Sequence, residues 1–275
     1  MTYATSAALS PRAVSGKWLW LPAPKPHARI RLFCFPNAGS GASAFREWPI
    51  LLPDDIEVVG LQLPGRENRY GEPMLNRLDD VLQAIWEVII GMADRPFFFF
   101  GHSMGALIAF ELTRLLQRKG LPTPFHLVVS GRRAPQMPRR DAPLHLMDDD
   151  AFLQKIIEFN GTPKELQQNI ESMRLFIPLL RNDFALSENY SCDDFTPITC
   201  PLTALGGDAD IDVSEIDLAA WSIVAGSHFD YALLPGDHFF IHPSKRRLLE
   251  RLRSIAVRGA LKSESSPTRE QLERC

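Results

Sequence analysis

Ser103 sits in Gly101-His-Ser-Met-Gly105, directly after Arg95-Pro-Phe-Phe-Phe-Phe100. A G-x-S-x-G spacing alone recurs by chance. It acquires chemical meaning only when a strand precedes it and a helix follows. Both are expected here. The phenylalanine run reads as a buried strand, and residues 104–119 carry apolar side chains at helical period before Gly120-Leu-Pro122 stops them. A strand turning sharply into a helix strains the backbone at the serine and leaves no room for side chains on either flank. The hydroxyl then stands at a helix N-terminus, where free N–H groups and the helix dipole favour developing negative charge. The chemistry implied is nucleophilic attack by Ser103 on an acyl carbon.

Such a hydroxyl needs a base, and the base needs an orienting acid. Serine nucleophiles on elbows of this kind are followed in the chain by the acid and then the histidine. Of the seven histidines, His238 alone lies in a loop directly after a strand and before the final helix, in "LLPGDHFFIHP". His242 is its rival and borders the last helix. His102 adjoins the nucleophile and points elsewhere, and His126 opens a strand. After the strand-like "PLTALGG" come Asp208, Asp210 and Asp212. An extended chain would put Asp208 and Asp210 on the same side. The common spacing, counted from Gly207, selects Asp210 and leaves Asp208 as runner-up. The preceding strand end, "VVSGRRAP", offers no carboxylate. An oxyanion hole requires two backbone N–H groups. Met104 is expected to supply one and Ala38, in the small-residue loop "PNAGSGAS", the other. Phosphate binding by those glycines is the rival reading, but no GxxxxGK[ST] is present.

Positioning these residues falls to alternating strands and helices. Strands are expected at residues 29–35, 57–63, 97–100, 126–131, 201–207 and 229–234, several of them short and continuously apolar, as in a parallel sheet covered on both faces. Helices are expected at 76–92, with Asn76 as N-cap, at 104–119 and at 243–257. The rhythm breaks between about 141 and 190, where helical patterns at 148–159, 162–169 and 170–182 replace strands. Pro178 is expected to kink the last of these. Helices inserted there form a lid over the ligand-binding edge of the sheet. The fold class is therefore α/β, with a mainly parallel central sheet flanked by helices. The chain divides into an N-terminal segment (1–28), one folded unit (29–260) containing the lid, and a polar tail (261–275) expected to be disordered.

At 275 residues the chain can bury a core without disulfide or metal staples, and 45% hydrophobic with 23% charged residues is an ordinary globular balance. A net charge of −3 argues against nucleic-acid binding. Cys34, Cys192, Cys200 and Cys275 form neither a CxxC pair nor a zinc spacing, so no metal is expected, and scattered thiols suit a reducing compartment. With neither an apolar leader nor a membrane-length run, a cytoplasmic protein is expected, with no membrane partner.

With these residues placed, the chain resembles the type II thioesterases of nonribosomal peptide and polyketide synthases, relatives of the medium-chain fatty acid synthase thioesterase. The resemblance rests on "FCFPNAGSGASAFREWP", "LQLPGRENRYGEP", "FFFFGHSMGALIAFEL", "SGRRAP", "LRNDFALSENY", "LTALGGDAD" and "LPGDHFFI". The family's G-G-D-x-D-P-x-V reads Gly206-Gly-Asp-Ala-Asp-Ile-Asp-Val213 here, with Ile211 in place of proline, and its catalytic acid falls on Asp210. The resemblance implies an α/β-hydrolase fold with the helical lid inserted after the sixth strand. It also implies hydrolysis of acyl groups from the phosphopantetheine arm of acyl or peptidyl carrier proteins. The arm is then part of the substrate, and no cofactor is expected. Ser103, His238 and Asp210 would be the catalytic residues, with Ala38 and Met104 at the oxyanion. The alternatives are a medium-chain fatty acyl thioesterase or general carboxylesterase using the same residues, and a binding module that kept the elbow without reacting. Lid residues Phe152, Ile156, Ile157, Phe159, Met173, Leu175, Phe176 and Leu179 either shape an acyl pocket or pack the lid. Arg132, Arg133, Arg139 and Arg140 form a basic cluster that either meets the arm's phosphate or an acidic carrier, or is simply solvated.

Overall fold

The structure, a computed structural model, describes residues 16–138, 140, 142–159 and 170–265. Its seven strands are β1 (Leu19–Trp20), β2 (Ile30–Phe35), β3 (Ile56–Leu61), β4 (Phe97–His102), β5 (Leu127–Ser130), β6 (Leu202–Gly207) and β7 (Phe229–Leu234). They form one sheet in the order β1-β3-β2-β4-β5-β6-β7. All neighbours run parallel except β1, which pairs antiparallel with β3. The mainly parallel α/β reading holds, and β1 is an addition to it.

The central position of β4 follows from its four phenylalanines. Alternate side chains of a strand point to opposite faces. Phe97 and Phe99 enter the core on one face, beside Phe33 and Phe35, while Phe98 and Phe100 enter the core on the other. Phe33 meets Phe97 edge-on at 5.7 Å between centroids, and Phe35 meets Phe99 at 5.1 Å. Each ring so buried contributes roughly 1.5–3 kcal/mol. A strand anchored on both faces is a rigid mount for what comes next in the chain.

Helices α1 (Leu78–Ile90) and α2 (Met104–Arg118) pack on the first face, burying Val81, Leu82, Ile85, Val88 and Ile89 of α1. The N-cap of α1 is Arg77, without a side-chain hydrogen bond, so Asn76 does not cap it. Asp79 and Asp80 in the first turn suit the helix dipole without a cap.

The lid lies between β5 and β6, so it follows the fifth strand formed here rather than the sixth; only one short strand precedes β2 among the described residues. It contains α3 (Asp149–Glu158), α4 (Ile170–Arg174) and α5 (Ile177–Glu188), and the helix expected at 162–169 lies outside the described residues. Asp148 caps α3, accepting from the N–H groups of Asp150 and Ala151. The expected kinked helix at 170–182 is two helices, with Pro178 in the first turn of the second. Proline is tolerated where its missing N–H would have no intrahelical partner, so Pro178 begins a helix instead of bending one.

Between β6 and β7 lies the short α6 (Glu215–Ala219), and α7 (Lys245–Ser265) packs on the second face of the sheet. It extends into the stretch expected to be a disordered tail, whose remainder lies outside the described residues. Among the described residues no helix is long and apolar enough to cross a membrane.

Candidate active site

At the end of β4 the backbone of Ser103 takes φ 52°, ψ −112°, a left-handed conformation that costs a non-glycine residue about 1–3 kcal/mol. The flanking glycines explain how the turn closes. A Cβ on Gly101 would run into the backbone of Gly105, and one on Gly105 into the backbone oxygens of Phe35 and Pro36. Gly105→Ala is therefore expected to force β2 and α2 apart, at about 3 kcal/mol. That corresponds to a melting midpoint lowered by roughly 10 °C. Gly71→Ala, whose Cβ meets nothing within 4 Å, should leave the midpoint unchanged in the same scan.

The residues selected from the sequence meet at this elbow. His238 Nε2 lies 3.2 Å from Ser103 Oγ, and Nδ1 lies 2.8 Å from Asp210 Oδ2. The Asp210 carboxylate is fully buried, and His238 is 11% exposed. Oδ1 of Asp210 accepts from the N–H groups of Asp212 and Val213, which holds the carboxylate in place. Asp208 is turned away and accepts from the N–H of Gly236, tying the acid loop to the histidine loop. Asp212 lies close enough to complete a three-donor cluster with Asp210 and His238, atoms within 4.8 Å, though two of the three are already hydrogen-bonded to each other.

The rival histidines have other partners. His102 is buried, with Nδ1 3.0 Å from Ser130 Oγ and its ring 5.3 Å from that of His238. Burial, then the neighbouring His238 and His242, hold it well below the usual imidazole range. A neutral ring there does not oppose positive charge on His238. His242 stacks on Phe239, and burial, then Lys245, lower it also. His126 meets Thr203 Oγ1 across two strands at 2.8 Å.

Ala38 follows β2, whose Phe35 pairs with Gly101 on β4, so its loop starts beside the elbow. Gly39 and Ser40, next in that loop, direct their N–H groups to Asp183 Oδ2 (2.8 Å) and the Asn37 carbonyl (3.1 Å). Met104 is the first residue of α2, where an N–H has no intrahelical acceptor.

Ser103 and His238 open onto a cavity of about 630 Å³, in the range of small-molecule sites. Phe159, Phe184, Tyr190, Met137 and the Asp210-loop residue Ile211 help to line it. Phe159 comes from the end of α3, its ring 5.9 Å from that of His238. The other expected lid residues divide. Phe152, Ile156 and Met173 form the lid's own core, with Ile157 packed against it, whereas Leu175 and Phe176 are exposed. Phe184 and Tyr190 are not among the expected lining residues, and both lie in "LRNDFALSENY", one of the segments that carry the family resemblance. The expected basic cluster is dispersed over partners. Arg132 donates to Ser187 Oγ, Arg140 pairs with the buried Asp217, and Arg133 reaches the carbonyls of Pro138 and Asp212. Arg139 lies outside the described residues.

Residues 30–255 match the thioesterase domain family. Among similar proteins, the gramicidin S biosynthesis protein GrsT of Aneurinibacillus migulanus is 44% identical over 223 residues, 81% of this chain and 87% of that protein. Thioesterase PikA5 of Streptomyces venezuelae is 35% identical over 234 residues, 83% and 81% of the two chains. The solved structure of the type II thioesterase BorB from the borrelidin biosynthetic cluster superposes with a TM-score of 0.79. It is 29% identical, and the match covers 88% of this chain and 97% of that one.

Proposed function

Since this chain belongs to the thioesterase family and is a thioester hydrolase of the type II group, we propose that Ser103, His238 and Asp210 are its catalytic residues and that it frees acyl groups from the phosphopantetheine arm of carrier proteins. The observation that carries this reading is the unbroken chain from Ser103 Oγ through the two ring nitrogens of His238 to Asp210, at 3.2 and 2.8 Å. His238 Nε2 takes the serine proton as Oγ attacks the thioester carbonyl. The carbonyl oxygen becomes an oxyanion held by the N–H groups of Ala38 and Met104. Asp210 keeps the imidazole in the tautomer that accepts at Nε2 and stabilises its charged form. Collapse of the tetrahedral intermediate expels the pantetheine thiol, which receives its proton from His238. Water then attacks the acyl-serine, with His238 again as base, and the carboxylic acid leaves. No step requires a cofactor, because the arm enters as part of the substrate.

The wall of the cavity favours an acyl chain near the serine. Phe159 and Phe184 supply apolar surface, and the lid reaches the histidine through the Phe159 ring. The partners are carrier proteins of a polyketide or nonribosomal peptide synthase, and the task is removal of stalled or misprimed acyl groups. The setting is the cytoplasm, which agrees with the free thiols of Cys34, Cys192 and Cys200.

The test compares one acyl group on three supports: a phosphopantetheinylated carrier protein, coenzyme A and a simple alcohol, with Ser103→Ala as blank. We expect kcat/KM to be at least about ten-fold higher on the carrier than on coenzyme A, equivalent to about 1.4 kcal/mol of added recognition, and lowest on the oxygen ester. Equal turnover on the oxygen ester would make the protein a general esterase in practice. Equal rates on carrier and coenzyme A would remove the carrier surface from the substrate.

A further inference from the structure

The loop that carries Ala38 is not held by its own strand alone. Asp183, a fully buried residue of α5 in the lid, reaches it through Oδ2, which accepts the Gly39 N–H at 2.8 Å. Arg66 grips the same carboxylate with both terminal guanidinium nitrogens, Nη1 to Oδ2 at 2.7 Å and Nη2 to Oδ1 at 2.8 Å. Nη1 of Arg66 also donates to the carbonyl of Ser40 at 3.1 Å. Leu180, one turn before Asp183 on the same helix face, packs so close to Gly39 that a Cβ there would lie 2.5 Å from Leu180 Cδ2. Gly39 is held at φ +76°, a conformation glycine adopts freely.

The peptide unit joining Ala38 to Gly39 is thereby fixed at both ends. Its carbonyl accepts from Asn37 Nδ2 at 3.0 Å, and its N–H donates to Asp183. A planar unit pinned at two points cannot rotate. The preceding unit, which carries the Ala38 N–H, is held at its carbonyl, where Asn37 accepts the Ser40 N–H at 3.1 Å, so the direction of the Ala38 N–H is left with little freedom. A carboxylate is buried at a large desolvation cost unless its oxygens are matched by donors, and here Arg66 and Gly39 supply three.

From this geometry we infer that Asp183, clamped by Arg66, is a positioning residue that aims the Ala38 N–H at the oxyanion. The lid is thus a working part of the oxyanion loop as well as a cover for the acyl chain. The inference rests on the reading that Ala38 contributes to the oxyanion hole. Asp183 touches no reacting atom; it acts through the Ala38–Gly39 peptide.

The experiment uses the full chain and two inhibitors built on pantetheine. A trifluoromethyl ketone adds Ser103 and places an oxyanion where the thioester's would form, whereas a thioether of equal length binds without reacting. Asp183→Asn is expected to weaken the ketone about ten-fold or more, and the thioether less than about two-fold. On an acyl thioester, kcat should fall by a similar factor, with KM within about two-fold. Arg66→Lys keeps the charge but loses the two-pronged grip, so it should shift the ketone in the same direction by a smaller factor. A merely structural ion pair would weaken both inhibitors together or, in a folded variant, neither; either result overturns the inference. If Asp183→Asn does not fold, Arg66→Lys decides by the same comparison. If Ser103→Ala binds the ketone as tightly as the parent protein does, the underlying oxyanion reading falls, and the role of Asp183 falls with it.

Discussion

Ser103→Ala is expected to lower kcat for acyl-thioester hydrolysis by about a million-fold while leaving the fold and KM essentially intact. The size follows from the behaviour of nucleophile–base pairs that act as a unit, where loss of either member costs about as much as loss of both. The specificity follows from this structure. Ser103 is the N-cap of α2 yet makes no side-chain capping hydrogen bond, so its hydroxyl meets His238 and does not brace the helix. Alanine meets the same backbone strain at φ 52° as serine does. The melting midpoint should therefore stay where it is, separating loss of chemistry from loss of fold. His238→Ala should fall to a similar level, and the double variant no further. Activity of Ser103→Ala above about one per cent would mean that another group attacks the thioester.

Asp210→Asn carries the next largest effect, about 10⁴-fold in kcat. The amide is nearly isosteric, and its oxygen can still accept from the N–H groups of Asp212 and Val213, so the loop keeps its shape. Its NH₂ faces His238 Nδ1 and favours the tautomer with the proton on Nε2, pointing at Ser103 rather than ready to receive its proton. Asp208→Asn retains an acceptor for Gly236 and should change kcat by no more than about three-fold, since Asp208 does not touch the ring. Comparing the two variants settles which carboxylate orients the histidine. Equal losses, or a larger loss at Asp208, would reassign the acid.

The choice between these aspartates shows what kind of information the sequence carries. The elbow was legible because it is local: an apolar run, two glycines and a helical stripe occupy consecutive residues, and each element needs only its own neighbours to be recognised. The meeting of Asp210 and His238 at the elbow was legible because a parallel sheet delivers its loops to one edge. The residue after a strand is then a good guess for what reaches that edge. Spacing and the family pattern favour Asp210 over Asp208, but an extended reading puts both on one side, because it misses the bend that the Gly207–Asp210 hydrogen bond makes. The lid was harder. Pro178 has one meaning inside a helix and another in its first turn, and only the break at Leu175 and Phe176 decides between them. Arg66 and Asp183 are 117 residues apart, and nothing in the sequence near either one names the other. The two-residue β1 is too short for periodicity to register, and its pairing with β3 is a tertiary fact.

The phenylalanine strand that leads into Ser103 also bears on how the protein fails. While the chain is unfolded, Phe97–Phe100 is an uncharged window of high strand propensity, the composition that drives cross-β association. Arg95 and Pro96 stand directly before it, one a charge and the other a residue that cannot donate to a ladder, and Gly101 follows. These are the flanking residues that slow such association. In the native sheet the window is sealed between β2 and β5 with every ring buried. Heat inactivation is therefore expected to become irreversible when β4 is uncovered, and its half-life should shorten as the protein concentration is raised. On that expectation, the strand that presents Ser103 also limits how long the folded protein survives heating.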